Sequence, residues 1–131
     1  MGKRECELLR IAFEEWPERI IVSRVSERLE ISKPAAIKLL RSMERKGLIS
    51  YRYRGEYKLT ERGKKLASEA TRKHRIVETF LFQLGMGADE ACCEASRFDF
   101  FMSRKVVERI CDAIGRPEVC PHGKVIPKVR S

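Results

Sequence analysis

The chain has 131 residues, 43% of them hydrophobic and 36% charged, and 28 Lys and Arg against 19 Asp and Glu leave a formal charge of +9. That apolar content supplies a core and excludes wholesale disorder. The greasiest stretch, Ile76 to Leu84, is interrupted by Glu78 and Gln83 and is too short for a bilayer. The N-terminus has no apolar segment of the secretory kind, so a cytoplasmic protein with no membrane partner is expected. Five cysteines, an odd number, then read as buried thiols or ligands before disulfides. The positive charge is uneven: residues 1–66 carry a net +7 and residues 67–131 a net +2. A polyanion-binding lobe joined to a lobe of another kind is the expected organisation.

Helical spacing of Leu8, Leu9, Ala12 and Phe13 predicts an amphipathic helix over residues 3–15, stopped by Pro17. Ile20-Ile21-Val22 reads as an edge strand or packed turn, and Ser23 as the cap of a short helix over 24–29. Ser32 is then placed as N-cap, with Pro34 in the first turn, of a helix over about 35–46 that Gly47 ends. Its apolar set is Ala36, Ile37, Leu40 and Met43; the other set is Lys33, Lys38, Arg41 and Arg45. Short helix, tight turn and a second helix with a basic outer face form a helix-turn-helix. An alternating hairpin follows, 48–53 returning at 57–59 through Arg54-Gly55-Glu56, with Arg52, Arg54 and Lys58 along it. Helix-turn-helix plus basic hairpin is a winged helix, the second helix entering the major groove and the wing tracking phosphates.

Thr60 caps a long helix, running to about Phe82 and containing Gly63, that joins the halves without a flexible spacer. A loop at 84–87, a helix over 89–96, an aromatic-rich segment 97–102 and a helix over 104–114 capped by Ser103 complete an all-helical second half, with an extended tail from Cys120 to Pro127. Phe80, Phe82, Phe98, Phe100 and Phe101 are more aromatic surface than a small helical lobe buries alone. A symmetric homodimer is expected, and a dimer also suits two heads reading half-sites about 34 Å apart on a palindromic operator.

With these segments in place, the chain resembles the diphtheria toxin repressor family of iron- and manganese-dependent transcriptional regulators. The marks are Leu-Leu-Arg-Ile-Ala-Phe in the first helix, Val-Ser-Glu-Arg-Leu-Glu-Ile-Ser-Lys-Pro before the recognition helix, and Met-Glu-Arg-Lys-Gly-Leu-Ile after it. They continue with Leu-Thr-Glu-Arg-Gly-Lys-Lys-Leu-Ala, Arg-Lys-His-Arg-Ile-Val-Glu-Thr-Phe-Leu, Asp-Glu-Ala with Arg-Phe-Asp and Met-Ser, and Cys-Pro-His-Gly-Lys-Val-Ile-Pro. The resemblance implies a mainly α protein: a winged helix-turn-helix DNA-binding domain over 1–66, then an all-helical metal-binding and dimerisation domain over 67–131, without the SH3-like third domain of some members. It implies a metal-responsive regulator of metal-homeostasis genes, most simply a repressor, which binds double-stranded DNA as a homodimer. Ser32, Lys33, Pro34, Ala35, Lys38 and Arg41 are then the recognition positions, with Arg52 and Arg54 on the wing.

The resemblance also implies a metal set of Glu7, His74, Glu78, Cys92 and Asp99, taking Fe2+ or Mn2+. His74 and Glu78, at i and i+4, share a helix face. The later positions depart from the family: Cys92 stands where iron-responsive relatives have His, Ser96 where they have Cys and the manganese type has Glu, and Phe100 replaces a His ligand. Two further readings follow. Thiols take over, with Cys92 or Cys93, Cys111, Cys120 and His122 holding Zn2+ or an iron–sulfur cluster. Or metal sensing is lost and the cysteines pack or respond to redox state. No enzyme motif is present: there is no His-Glu-x-x-His, no phosphate loop and no nucleophile elbow. A winged-helix protein-interaction module is the non-DNA alternative, and it predicts an apolar face where the third helix is basic.

Overall fold

The structure is a computed structural model that describes residues 2–128. The chain divides into two compact units, Met1–Ser68 and Glu69–Ser131. The division falls inside one continuous helix.

In the first unit, helix α1 (Lys3–Glu15) buries Leu8, Leu9, Ile11 and Ala12, one stripe of the amphipathic pattern. Strand β1 (Ile20–Ile21) leads directly into α2 (Val22–Leu29). Ile21 occupies the N-cap position and Ser23 lies inside the helix, so Ser23 is not the cap that its residue type suggested. The extended backbone that β1 needs for pairing already supplies a cap conformation two residues earlier. At the end of α2, Glu30 adopts a left-handed φ of 54°, and Ser26 Oγ donates to the Ile31 carbonyl at 2.6 Å. This tight turn delivers Ser32 as N-cap of α3 (Lys33–Arg45), its hydroxyl accepting from the Ala35 amide at 3.2 Å. Helix α3 thus starts two residues earlier than the sequence suggested, with Pro34 in the first turn where no donor is lost. Ala36, Leu40 and Met43 are fully buried.

Strands β2 (Ile49–Tyr51) and β3 (Glu56–Leu59) form the wing, and β1 adds to the other side of β3, giving the antiparallel order β1-β3-β2. Ile20 pairs with Tyr57 and Ile49 with Leu59, which places apolar residues on one face. At the tip, Arg54 and Gly55 both have positive φ, 50° and 74°, as a type I′ turn demands. The long helix α4 (Glu61–Gln83) follows β3 after Thr60. Thr60 Oγ1 accepts from the Gly63 amide and donates to the Gly47 carbonyl, so one hydroxyl opens α4 and closes the end of α3. Gly63 is required for space: a Cβ there would lie 1.9 Å from the Leu48 carbonyl oxygen.

In the second unit, α5 (Ala88–Phe98) passes into a single 3-10 turn (Asp99–Phe101), and Ser103 caps α6 (Arg104–Ala113) through the Val106 amide. Val77, Leu81, Ala91 and Ala95 form one apolar cluster, and Ile76, Val107, Cys111, Cys120 and Ile126 another. The tail is not extended throughout. It folds on itself, with Val119 bridged to Val125, the Cys120 amide donating to the Lys124 carbonyl and the Gly123 amide to the Cys120 carbonyl. Gly123, at φ +78°, supplies the reversal that a reading of the segment as extended overlooked. Arg72 fastens this tail: its guanidinium forks onto Glu108 at 2.8 and 3.0 Å and donates to the Pro127 carbonyl at 2.8 Å.

Candidate functional site

Helix periodicity puts Thr71, His74 and Glu78 on the inward face of α4, beside apolar Ile76 and Val77. Burying a carboxylate is costly unless something answers its charge. Glu78 is 2% exposed, and its Oε2 accepts no hydrogen bond. Around that oxygen stand His74 Nε2 at 4.0 Å and His122 Nδ1 at 3.6 Å. Cys92, from α5, brings Sγ to 3.4 Å from His74 Nε2.

Two donor groups result, each with its ligand atoms within 4.8 Å of one another: His74, Glu78 and Cys92, and Glu78, Cys120 and His122. Glu78 belongs to both. The second group exists because the tail reverses and presents Cys120 and His122 from one short loop. Burial pushes the Cys120 thiol up, and the Glu78 carboxylate beside it adds to that, against the pull of the Lys124 and His122 amides. Asp99 lies behind His74, with Oδ2 2.8 Å from Nδ1, the nitrogen turned away from Cys92. A divalent cation fits this donor set: nitrogen, sulfur and carboxylate oxygen converge, and one buried oxygen lacks any partner of its own.

Of the other expected ligands, Glu7 stands half-buried on α1 in the first unit. Cys111 fills the apolar cluster around Ile76, with Arg72 donating to its sulfur at 3.6 Å, and Cys93 is exposed on α5. Neither belongs to a donor group among the described residues. Ser96 donates to the Cys92 carbonyl, and Phe100 stacks edge-on against Phe101.

In the first unit, Ser32, Lys33, Pro34, Ala35, Lys38 and Arg41 are all exposed along the N-terminal part and outer face of α3. The wing exposes Arg52, Arg54 and Lys58 together with Tyr51 and Tyr53. Arg52 Nη1 donates to the Glu18 carbonyl at 2.8 Å, which holds the base of the wing, and the Tyr51 hydroxyl accepts from the Gly55 amide. A residue that sequence reasoning missed is Glu5. It is buried, and it receives Ser42 Oγ and Lys46 Nζ at 2.8 Å each. Burial works to raise its carboxyl, but Lys46 and Ser42 outweigh it and hold the group below the usual carboxylate range. A glutamate in the first turn of an amphipathic helix looks solvated, and only Ser42 on α3 and Lys46 just past its end show otherwise.

Comparison with known proteins adds an independent line. Residues 60–128 match the family model of the iron-dependent repressor metal-binding and dimerisation domain. The iron-dependent repressor IdeR of Mycobacterium tuberculosis is 35% identical over 106 residues, which is 80% of this chain and 46% of that protein. The chain spans about half the length of the curated relatives it matches. The structure of the manganese regulator SloR superposes with a TM-score of 0.86 at 33% identity, over 98% of this chain and 61% of that one. A crystal structure of a hypothetical protein from Sulfolobus solfataricus shares the fold at a TM-score of 0.74 and 22% identity, over 96% of this chain and 97% of its own.

Proposed function

We propose that this chain, which belongs to the iron-dependent repressor family, is a metal-responsive DNA-binding transcriptional regulator that acts as a homodimer, most simply a repressor. The observation that carries the reading is the Glu78 carboxylate, buried in the second unit with one oxygen unpartnered between two imidazoles and two thiol groups. His74, Glu78 and Cys92 would hold the ion, and Glu78 with Cys120 and His122 would offer a second donor group. When bound, the ion supplies the positive charge that the buried carboxylate lacks.

The donor chemistry narrows the ion. Mixed nitrogen, oxygen and sulfur suit Fe2+ and Zn2+, whereas Mn2+ prefers oxygen. Each group holds a single thiol, the donor set of a mononuclear ion and not of an iron–sulfur cluster. Exposed Phe82, Leu84, Phe98, Phe101 and Val106 in the second unit support pairing of two chains. The basic face of α3 supports the major groove as its target: Ala35 suits a thymine methyl and Lys38 a guanine edge. For a near-complete switch the ion must favour the DNA-competent state by about 5 kcal/mol, since tight binding alone shifts nothing.

The test is selection of duplexes from a random pool by chelator-stripped protein, with Fe2+ under anaerobic conditions, Mn2+, Zn2+ or no metal. Metal-dependent enrichment of a pseudo-palindromic site is expected. Equal retention with and without every metal removes the metal-responsive reading, and sequence-blind retention removes the operator.

A further inference from the structure

Two imidazoles border Glu78, and an aspartate holds each from its far side. His74 Nδ1 lies 2.8 Å from Asp99 Oδ2, and His122 Nε2 lies 2.9 Å from Asp89 Oδ1. The two contacts use opposite ring nitrogens. In each case the nitrogen left over is the one beside the unpartnered Glu78 oxygen, Nε2 of His74 and Nδ1 of His122. An ionised carboxylate only accepts, so the ring nitrogen facing it carries the proton, and a neutral imidazole then shows its lone pair on the other nitrogen.

We infer that Asp99 and Asp89 are positioning residues that fix opposite tautomers of His74 and His122, so that both lone pairs converge on Glu78. The inference rests on the proposed metal reading, and it changes the role of Asp99. Family resemblance implies a ligand, whereas the geometry puts Asp99 on the side of His74 away from the other donors. A carboxylate in this place orients the ring and raises the basicity of the ligating nitrogen. The two aspartates differ in reach. The Asp99 side chain is 14% exposed, whereas that of Asp89 is fully exposed and screened by water. Asp99 is therefore the stronger of the two.

The experiment uses the full chain with 15N-labelled histidine and 113Cd2+ as the probe ion. In metal-free protein, the proton is expected on Nδ1 of His74 and on Nε2 of His122. After loading, 113Cd–15N coupling is expected at His74 Nε2 and His122 Nδ1. In Asp99→Asn the amide can donate to Nδ1 and reverse the His74 tautomer, the effect this exchange has on triad histidines. Cadmium affinity should then fall by about 10–100-fold, with the backbone amide spectrum of the apolar clusters unchanged. Asp99→Glu should restore the tautomer, and Asp89→Asn should cost less than about 10-fold by the same logic. Reversed tautomers in the wild type, cadmium on Nδ1 of His74, or undiminished affinity in Asp99→Asn would each overturn the inference. Failure of the wild type to take up cadmium would count against the metal reading alone, because the metal-free tautomers still decide the inference.

Discussion

In the first unit, the one buried charged side chain among the described residues is Glu5, and Lys46 and Ser42 answer it directly. In the second, His74 and Glu78 are buried together with Thr71 and Thr79, and the Thr71 hydroxyl and one Glu78 oxygen find no partner. The first unit turns its cations outward, along α3 and the wing, and keeps an apolar interior of Leu8, Leu9, Ile20, Leu40, Met43 and Ile49. The second places a polar set, Thr71, His74, Glu78 and Thr79, in its interior beside two apolar clusters. The exposed charge of the first unit favours a polyanion and, on the proposed reading, the buried carboxylate of the second favours a cation.

The comparison breaks most readily at Gly63. Helix propensity alone makes Gly→Ala in a helix interior stabilising by about 1 kcal/mol. Here the added carbon meets backbone, 1.9 Å from the Leu48 oxygen, and Gly63→Ala should destabilise by about 3 kcal/mol through overpacking. Thermal unfolding reads this directly, and a raised midpoint would refute the packing argument. A smaller effect separates the two kinds of cation on the first unit. Lys38→Ala should cost about 1–3 kcal/mol on the selected site and relax preference at one base pair. Arg54→Ala should weaken all duplexes alike and lower the salt slope by about 1. Equal losses on selected and random DNA for Lys38→Ala would mean that α3 does not read sequence.

The smallest effect tests an ion pair of the second unit that needs no metal. The Arg72 fork holds the Glu108 carboxyl below its ordinary range, against the upward push of partial burial. A depressed folded value means stability that is present above the unfolded carboxylate range and is lost as pH falls through the folded one. Glu108→Gln should therefore cost about 1–2 kcal/mol at neutral pH, with the difference closing in acid below about pH 4. A deficit that persists unchanged into acid would show that packing, and not charge, is what the glutamate provides.

Most of the first unit was legible because its rules are local. Ser32 and Pro34 announce a helix start, Gly47 a helix end, and Arg54-Gly55 a reversal, and each acts within a few residues of itself. Ser23 misled because its residue type favours capping, while the pairing of Ile20 and Ile21 with β3, a contact over more than 30 residues, had already set the helix start. In the second unit, the spacing of His74 and Glu78 showed a shared face. Nothing local could show that Asp99 sits behind His74 while Cys92 sits before it, since those directions depend on how the 3-10 turn and α5 pack on α4. Nor could spacing separate Cys120 from Cys111. Both are buried thiols, but one lies on a closed loop beside Glu78 and the other on the buried face of α6.

That closed loop has a kinetic consequence. Two backbone hydrogen bonds and the Val119–Val125 bridge already hold Cys120 and His122 in place, so the entropy of bringing these donors together is met on folding and not on ion capture. On the proposed metal reading, capture at this side then waits on the Cys120 proton, which burial makes harder to lose, and not on ordering of the chain. Uptake there would quicken as pH rises.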